Sequence, residues 1–294
     1  MADVMVRAIT ACGRFRAVAA ITTGVAEAVR TRHRMLPVAT AAVGRTLTGA
    51  FLLASELKGQ GRLMIQILGS GPLGQIFAEA DTSGNGRGYV SNPHVDFPAE
   101  GGKIQVGKGV GTSGLLTVIK DLSLKEPYRG VVPITSGEIG KDLAYYLTVS
   151  EQIPSAVALG VYVEQNLSVG VAGGYMVNTL PGAADRDIAL VEANIRGLPM
   201  PSELIRAGVS PHGILQRVLR GFDLKYLGDQ LLKFQCRCSE DRFSRALVAM
   251  GPQELKDLIE KEGGARITCE FCGETYSFPE DTLKGLLKTA LRPQ

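Results

Sequence analysis

Four of the five cysteines in this 294-residue chain fall within its last 59 positions. They form two close pairs, Cys236-Arg237-Cys238 and Cys269-Glu270-Phe271-Cys272, separated by thirty residues, and Gly273 follows the second pair. Two near pairs around a small folded insert are the sequence form of a tetrathiolate metal site. Zinc is tetrahedral and borderline-soft, and it takes four cysteine sulfurs at about 2.3 Å. A Cys-x-x-Cys loop aims two sulfurs at one point, and a glycine after it supplies the positive φ that such a loop often needs. The expected cofactor is one Zn²⁺ per chain, with Cys236, Cys238, Cys269 and Cys272 as ligands. An iron–sulfur cluster would use the same residue type, and four buried thiols without metal are the plain alternative. A thioredoxin-like redox pair fits poorly, because Cys269 does not open a helix after a βαβ strand.

Thiolates are the species that oxidants attack, and metal coordination keeps cysteines in that form. The sulfurs within each motif are already neighbours. Arg237, Arg242, Arg245 and Arg266 lie close in sequence and would support thiolate character. A module of this size buries a limited core and often needs a staple. In zinc-finger peptides at neutral pH, zinc supplies about 10–16 kcal/mol of apparent folding free energy. Oxidation of the ligands would therefore remove the metal and the fold together, which makes a switch. The rival is a purely structural zinc tail on an enzyme or on a nucleic-acid-binding protein. Residues 236–294 hold nine Lys or Arg against ten Asp or Glu. Four thiolates and one divalent cation bring the formal charge to about −3, the wrong sign for phosphate.

The elements that must hold these sulfurs are short. Ser239 caps a helix running to Met250, with Glu240 and Asp241 at its positive end. Pro252–Glu262 reads as a second helix, stopped by Gly263-Gly264. Arg266–Cys269 and Thr275–Phe278 form a hairpin around Cys272-Gly273, and Pro279–Leu291 is a last amphipathic helix. Upstream, Val4–Thr10 and Phe15–Ile21 read as strands, Thr22 or Thr23 as the cap of a helix towards Arg32, and Val38–Leu57 as a helix behind Pro37. Strands follow at 62–68, 75–80, 88–92, 103–107, 115–120 and 129–135. A helix at 139–150 and strands at 157–163 and 168–175 complete an α+β pattern. From Asp185 to about Lys233 the sequence reads as helical, with helices at 185–196, 201–207 and 211–219. The expected domains are 1–180, a mixed sheet-and-helix core; 181–235, a helical linker; and 236–294, a small zinc-binding domain.

Composition excludes some classes. A 45% apolar and 21% charged chain is ordinary for a globular protein, and a net charge of +3 with no long basic run gives a weak field for nucleic acid. Met1–Gly13 has no signal-peptide pattern. The apolar stretch Ile153–Val177 is broken by Glu164, Gln165 and Asn166, so strands fit it better than a membrane helix. The expected location is the cytoplasm, with neither membrane nor nucleic acid as partner. Gly69-Ser70-Gly71-Pro72-Leu73-Gly74 reads as a hairpin turn, not a phosphate loop. His33, His94 and His212 are read as surface or capping residues, and Cys12 as a spare buried thiol. Asp142, Glu151 and Glu164 offer no catalytic pair, and the chain is read as a non-enzyme.

Cys-x-Cys, thirty residues and Cys-x-x-Cys near the C-terminus of a chain of this length resemble the 33 kDa chaperonin family. Tyr145-Tyr146-Leu147-Thr148-Val149-Ser150-Glu151-Gln152-Ile153-Pro154-Ser155 and Gly173-Gly174-Tyr175-Met176-Val177 agree with it, and the likeness covers nearly the whole chain. The resemblance implies a redox-regulated, ATP-independent holdase that is inactive when reduced and zinc-loaded. It implies that oxidation with mild unfolding stress forms disulfides Cys236–Cys238 and Cys269–Cys272 and releases zinc. Linker and switch then unfold, and homodimers hold unfolding client proteins. Apolar positions of the linker, Ile188, Leu190, Ile195, Leu204, Ile205, Ile214, Leu215 and Val218, are expected either to be exposed on release or simply to be core positions of amphipathic helices.

Overall fold

The computed structural model describes residues 2–122 and 126–291. The chain divides into two compact units, Met1–Gln235 and Cys236–Gln294. The first runs β1 (Val4–Thr10), β2 (Phe15–Ile21), α1 (Thr23–His33), α2 (Pro37–Ala54), β3 (Arg62–Gly69), β4 (Gln75–Asp81), β5 (Asn85–Val90) and α3 (Val106–Val110). It continues with β6 (Gly114–Asp121), β7 (Tyr128–Pro133), α4 (Ile139–Val149), β8 (Ser155–Val163), β9 (Val169–Thr179), α5 (Asp185–Arg196), α6 (Pro201–Arg206), α7 (Pro211–Val218), β10 (Leu224–Leu231) and β11 (Lys233–Phe234). The fold is α+β, as expected from the sequence.

Two sheets enclose α2. One has the order β10-β1-β2-β9-β8, the other β11-β5-β4-β3-β6-β7. Sixteen of the eighteen residues of α2 are buried, among them Val38, Leu47, Phe51 and Leu52. An all-round apolar helix of this kind belongs in a core. It is also long and apolar enough to cross a membrane, yet 89% of it is buried in the protein. Its threonines do not strand polar groups: Thr46 and Thr48 donate to the Ala42 and Gly44 carbonyls at 2.8 and 2.9 Å. The cap of α1 differs from expectation. Thr22 is buried and bonds Thr48, so neither threonine caps; the Asp3 carboxylate accepts from the Gly24 and Val25 amides at 2.9 and 2.6 Å.

The inner strands of the five-stranded sheet, β1, β2 and β9, are buried on both faces. Met5, Val18, Ala20 and Met176 face α1 and α2. Val6, Ala8, Phe15, Ala17, Ala19, Tyr175 and Val177 face a layer made by α5, α6 and α7, which contributes Val191, Leu204, Ile205, Ile214, Leu215 and Val218. Strand period two explains how one strand serves both sides. Close approach of α6 needs glycine below it. A Cβ on Gly160 would lie 2.6 Å from the Ser202 amide nitrogen, and one on Gly173 would lie 2.5 Å from Ile205 Cδ1. The Arg14 guanidinium ties the β1–β2 turn to the first turn of α5 through Asp187, at 2.6 Å.

Three local expectations are corrected. Residues 224–231, read as the tail of a helical region, are the edge strand β10, antiparallel to β1 with a bulge at Arg7/Ala8. Both its faces are largely exposed, so it lacks the alternation that marks a half-buried strand. The segment 103–107 is not a strand; Lys103 bridges to Glu100, and α3 begins at Val106. Leu190 is 41% exposed and is not part of the buried α5 face.

The second unit runs α8 (Glu240–Met250), α9 (Pro252–Asp257), a π-helical turn (Leu258–Glu262), β12 (Gly264–Thr268), β13 (Thr275–Pro279) and α10 (Glu280–Ala290). Its buried apolar core is Leu247, Leu255, Phe278 and Leu283. Ser239 Oγ accepts from the Arg242 amide at 3.2 Å, as expected for the cap of α8. Gly263 ends the π turn in the left-handed conformation, φ +66°.

Candidate metal centre

The second unit places its four cysteines with two local devices. Cys236 and Cys238 precede Ser239, so the capped start of α8 sets the direction of that segment. Cys269 and Cys272 sit on the turn of the β12–β13 hairpin, whose register pairs Thr268 with Thr275. The Cys269 carbonyl accepts from the Cys272 and Gly273 amides at 3.3 and 2.8 Å, and the Cys269 amide donates to Glu274 O at 2.8 Å. Gly273 has φ +73°, the left-handed conformation expected of it.

The four sulfurs all lie within 4.8 Å of one another. Cys236 and Cys269 sulfurs are 3.7 Å apart and Cys238 and Cys272 sulfurs 3.4 Å. In a tetrahedron with metal–sulfur bonds of about 2.3 Å, sulfurs stand about 3.8 Å apart. The arrangement therefore fits a single four-coordinate ion. Burial pushes the Cys269 thiol up from its ordinary range, and burial together with the Cys238, Cys236 and Cys269 thiols does the same to Cys272. Four sulfurs so placed ionise together only beside a cation, which is the donor chemistry of a metal site.

Donors around the sulfurs come chiefly from the hairpin. Hydrogen bonding from the Phe271 and Cys272 amides tempers the rise at Cys269, and that from the Glu274 amide tempers the rise at Cys272. The Tyr276 hydroxyl donates to Cys238 Sγ at 3.2 Å. Of the arginines expected to support the thiolates, Arg245 is engaged by Asp241 at 3.0 Å instead. Tyr276 was not singled out from the sequence. Its signal was its place four residues after Cys272, on the strand that returns past the site.

Other sequence candidates lie elsewhere and serve structure. Cys12 is exposed in the β1–β2 turn, which corrects its reading as buried; its sulfur lies 3.4 Å from Thr10 Oγ1, and hydrogen bonding of that hydroxyl to the ionised sulfur lowers it from the usual range. The Gly69–Gly74 loop is a hairpin turn. The Ser70, Gly71 and Leu73 amides donate to Ser113, Val110 and Gly109 carbonyls, so none of these three is spare for a phosphate. His212 Nε2 lies 3.2 Å from Asp229 and its ring packs on Tyr226. Asp142 is buried and accepts from the Thr135 and Ser136 amides and hydroxyls. Glu151 binds Lys120 at 2.6 Å and the Tyr146 hydroxyl, while Glu164 is exposed in the β8–β9 turn.

Comparison with known proteins places this arrangement. A family described as Hsp33 protein matches residues 3–279. The 33 kDa chaperonin of Latilactobacillus sakei is 44% identical over 289 residues, covering 98% of this chain and 99% of its own. That of Desulforamulus reducens is 45% identical over 289 residues, covering 98% of each. The crystal structure of the 33 kDa chaperonin (heat shock protein 33 homolog) from Thermotoga maritima superposes with a TM-score of 0.90 at 33% identity, covering 98% of this chain and 99% of that one. With the family pattern spanning nearly the whole sequence and the same fold in a solved relative, this chain belongs to the Hsp33 family of chaperones.

Proposed function

We propose that this protein is a redox-regulated holdase that works without ATP. The observation that carries the reading is the cysteine tetrad, four sulfurs within 4.8 Å, in a unit whose described residues bury four apolar side chains, with partly buried ones packed around them. When bound, Zn²⁺ would hold Cys236, Cys238, Cys269 and Cys272 as thiolates and supply folding free energy that so small a core lacks. Oxidation of the sulfurs to disulfides Cys236–Cys238 and Cys269–Cys272 takes away all four ligands. The unit 236–294 then loses its fold.

The helical segment within 181–235 is the second moving part. Its helices cover the apolar face formed by Val6, Ala8, Phe15, Ala17, Tyr175 and Val177. A half-open groove of about 240 Å³, lined by Phe15, Val177, Ile188, Val191 and Ile195 and rimmed by Thr148, Ser155 and Glu192, lies along α5. Release of the segment bares that face and the buried sides of α6 and α7 to unfolding client proteins. The active form is a homodimer in the cytoplasm, with neither nucleic acid nor membrane as partner and with no enzymatic turnover.

The test is light scattering of a thermally unfolding client, with reduced zinc-loaded protein and with peroxide-treated protein at mild heat, while a chromogenic chelator reports zinc. Protection that appears only after oxidation, together with about one equivalent of zinc released per chain, is the expected outcome. Zinc release without protection sinks the chaperone reading and leaves a structural metal site.

A further inference from the structure

Tyr276 is held from two sides. It lies on β13 opposite Ile267, and its ring stands 5.1 Å from that of Phe243 on α8. This placement brings its hydroxyl to 3.2 Å from Cys238 Sγ. Cys269 and Cys272 take main-chain donors from the turn, which every sequence with this backbone would supply. Cys238 takes a side-chain donor, which a substitution can remove without touching the turn.

We infer that Tyr276 is a positioning residue that restrains oxidation of the Cys236–Cys238 pair and so sets the oxidant level at which the switch fires; this rests on the redox reading above. In the step it restrains, a sulfur lone pair attacks one oxygen of a peroxide. The O–O bond breaks, hydroxide leaves, and the sulfur gains an S–O bond and is oxidised by two electrons while the peroxide is reduced. The neighbouring thiolate then attacks the sulfenic sulfur, the S–S bond forms, hydroxide leaves, and solvent protonates both hydroxides to water. A hydrogen bond into Cys238 sulfur occupies electron density that the first attack requires. The two elements that hold Tyr276 hold that restraint for as long as the hairpin and α8 stay packed.

Full-length reduced, zinc-loaded protein and its Tyr276→Phe variant decide the matter, since phenylalanine keeps the ring and its contact with Phe243. Zinc release is followed with hydrogen peroxide and, separately, with a competing chelator and no oxidant. Cobalt(II)-substituted samples give the sulfur-to-metal charge-transfer band. Removing one hydrogen bond of ordinary strength is expected to speed peroxide-driven release about threefold to tenfold and to leave chelator-driven release within about twofold. The charge-transfer band moves to lower energy. Equal peroxide rates overturn the inference, as does an equal speeding of both releases, which would mark a loosened module. Slower peroxide release in Tyr276→Phe also overturns it, because the hydroxyl would then be acting as proton donor to the leaving oxygen. Wild-type protein that keeps its zinc under peroxide sinks the redox reading itself; the inference alone fails when wild type releases zinc and the variant matches it.

Discussion

Between Met1 and Gln235, two contiguous apolar clusters flank one sheet, and the larger runs from Met5 to Leu232 around α2. Among the described residues from Cys236 onward, the buried apolar core comes down to Leu247, Leu255, Phe278 and Leu283. The first unit carries its fold in side-chain packing and sheet pairing. The second has a two-stranded sheet and short helices, elements that are marginal alone. On the function proposed above, what differs is the source of stability, and with it the kind of signal that can dissolve each unit. Packing answers to temperature and denaturant; thiolate ligation answers to oxidants and chelators.

The strongest way to break this contrast is to take away the ligation. Chelation of the reduced protein, or Cys269→Ser, is expected to remove a contribution of the order of 10 kcal/mol from the second unit. Hydrogen exchange should then lose protection across 240–290 and keep it in β2, β9 and α2. Protected amides in α8 and α10 without metal would show that the four-residue core suffices. A smaller blow falls on that core directly. Leu283 is fully buried, and Leu283→Ala is expected to cost about 2–5 kcal/mol. In so small a unit this should appear as weaker zinc binding in a chelator competition, whereas Leu47→Ala in α2 should leave zinc affinity unchanged.

Ile214→Ala probes the layer that the proposal treats as releasable. Ile214 is fully buried against the sheet, and its truncation should destabilise α7 by about 2–4 kcal/mol. The expected readout is dye binding to exposed apolar surface, with partial client protection in the reduced, zinc-loaded state. No change in either would mean the layer is not the covered client face. The smallest effect concerns acid. The Arg30 guanidinium beside Glu27, helped by the Val169 amide, holds its carboxyl below the usual 4.5. A depressed folded value gives stability that is present above the unfolded value and is lost as pH falls through the folded one. The stability gap between wild type and Glu27→Gln should therefore close below about pH 4.5, and at neutral pH it should stay under about 1 kcal/mol for a pair that solvent still reaches. Thermal melts of the first unit from pH 6 to pH 3 measure it.

The contrast also governs what could be read from the sequence. The second unit is local: Ser239 as a cap, Gly263 as a stop and Gly273 in a tight turn are each decided by neighbours a few residues away, so its elements were legible. Its sulfur cluster was legible from spacing. The first unit is assembled from distant partners. Asp3 caps a helix that starts at Thr23, and β10 pairs with β1 across more than two hundred residues. Neither leaves a local trace, and β10, exposed on both faces, leaves no alternation either. Cys12 was misread because residue type says little about a turn. Tyr276 went unnoticed because a hydroxyl near a sulfur depends on hairpin register.

The thirty-residue insert between the motifs has its two ends clasped at one point by the tetrad. Considered as a graph of cross-links, the tetrad closes a ring. Disulfides Cys236–Cys238 and Cys269–Cys272 would close only tiny loops and leave that ring open. Cross pairs, Cys236–Cys269 and Cys238–Cys272, would keep it closed, and a ring of this size withholds about 3–4 kcal/mol of chain entropy from the unfolded state. Separations of 3.7 and 3.4 Å put those cross pairs within easy reach as well. Two oxidations with the same electron count thus have opposite mechanical results, one a released strand and the other a locked loop. Peptide mapping without reduction would tell them apart.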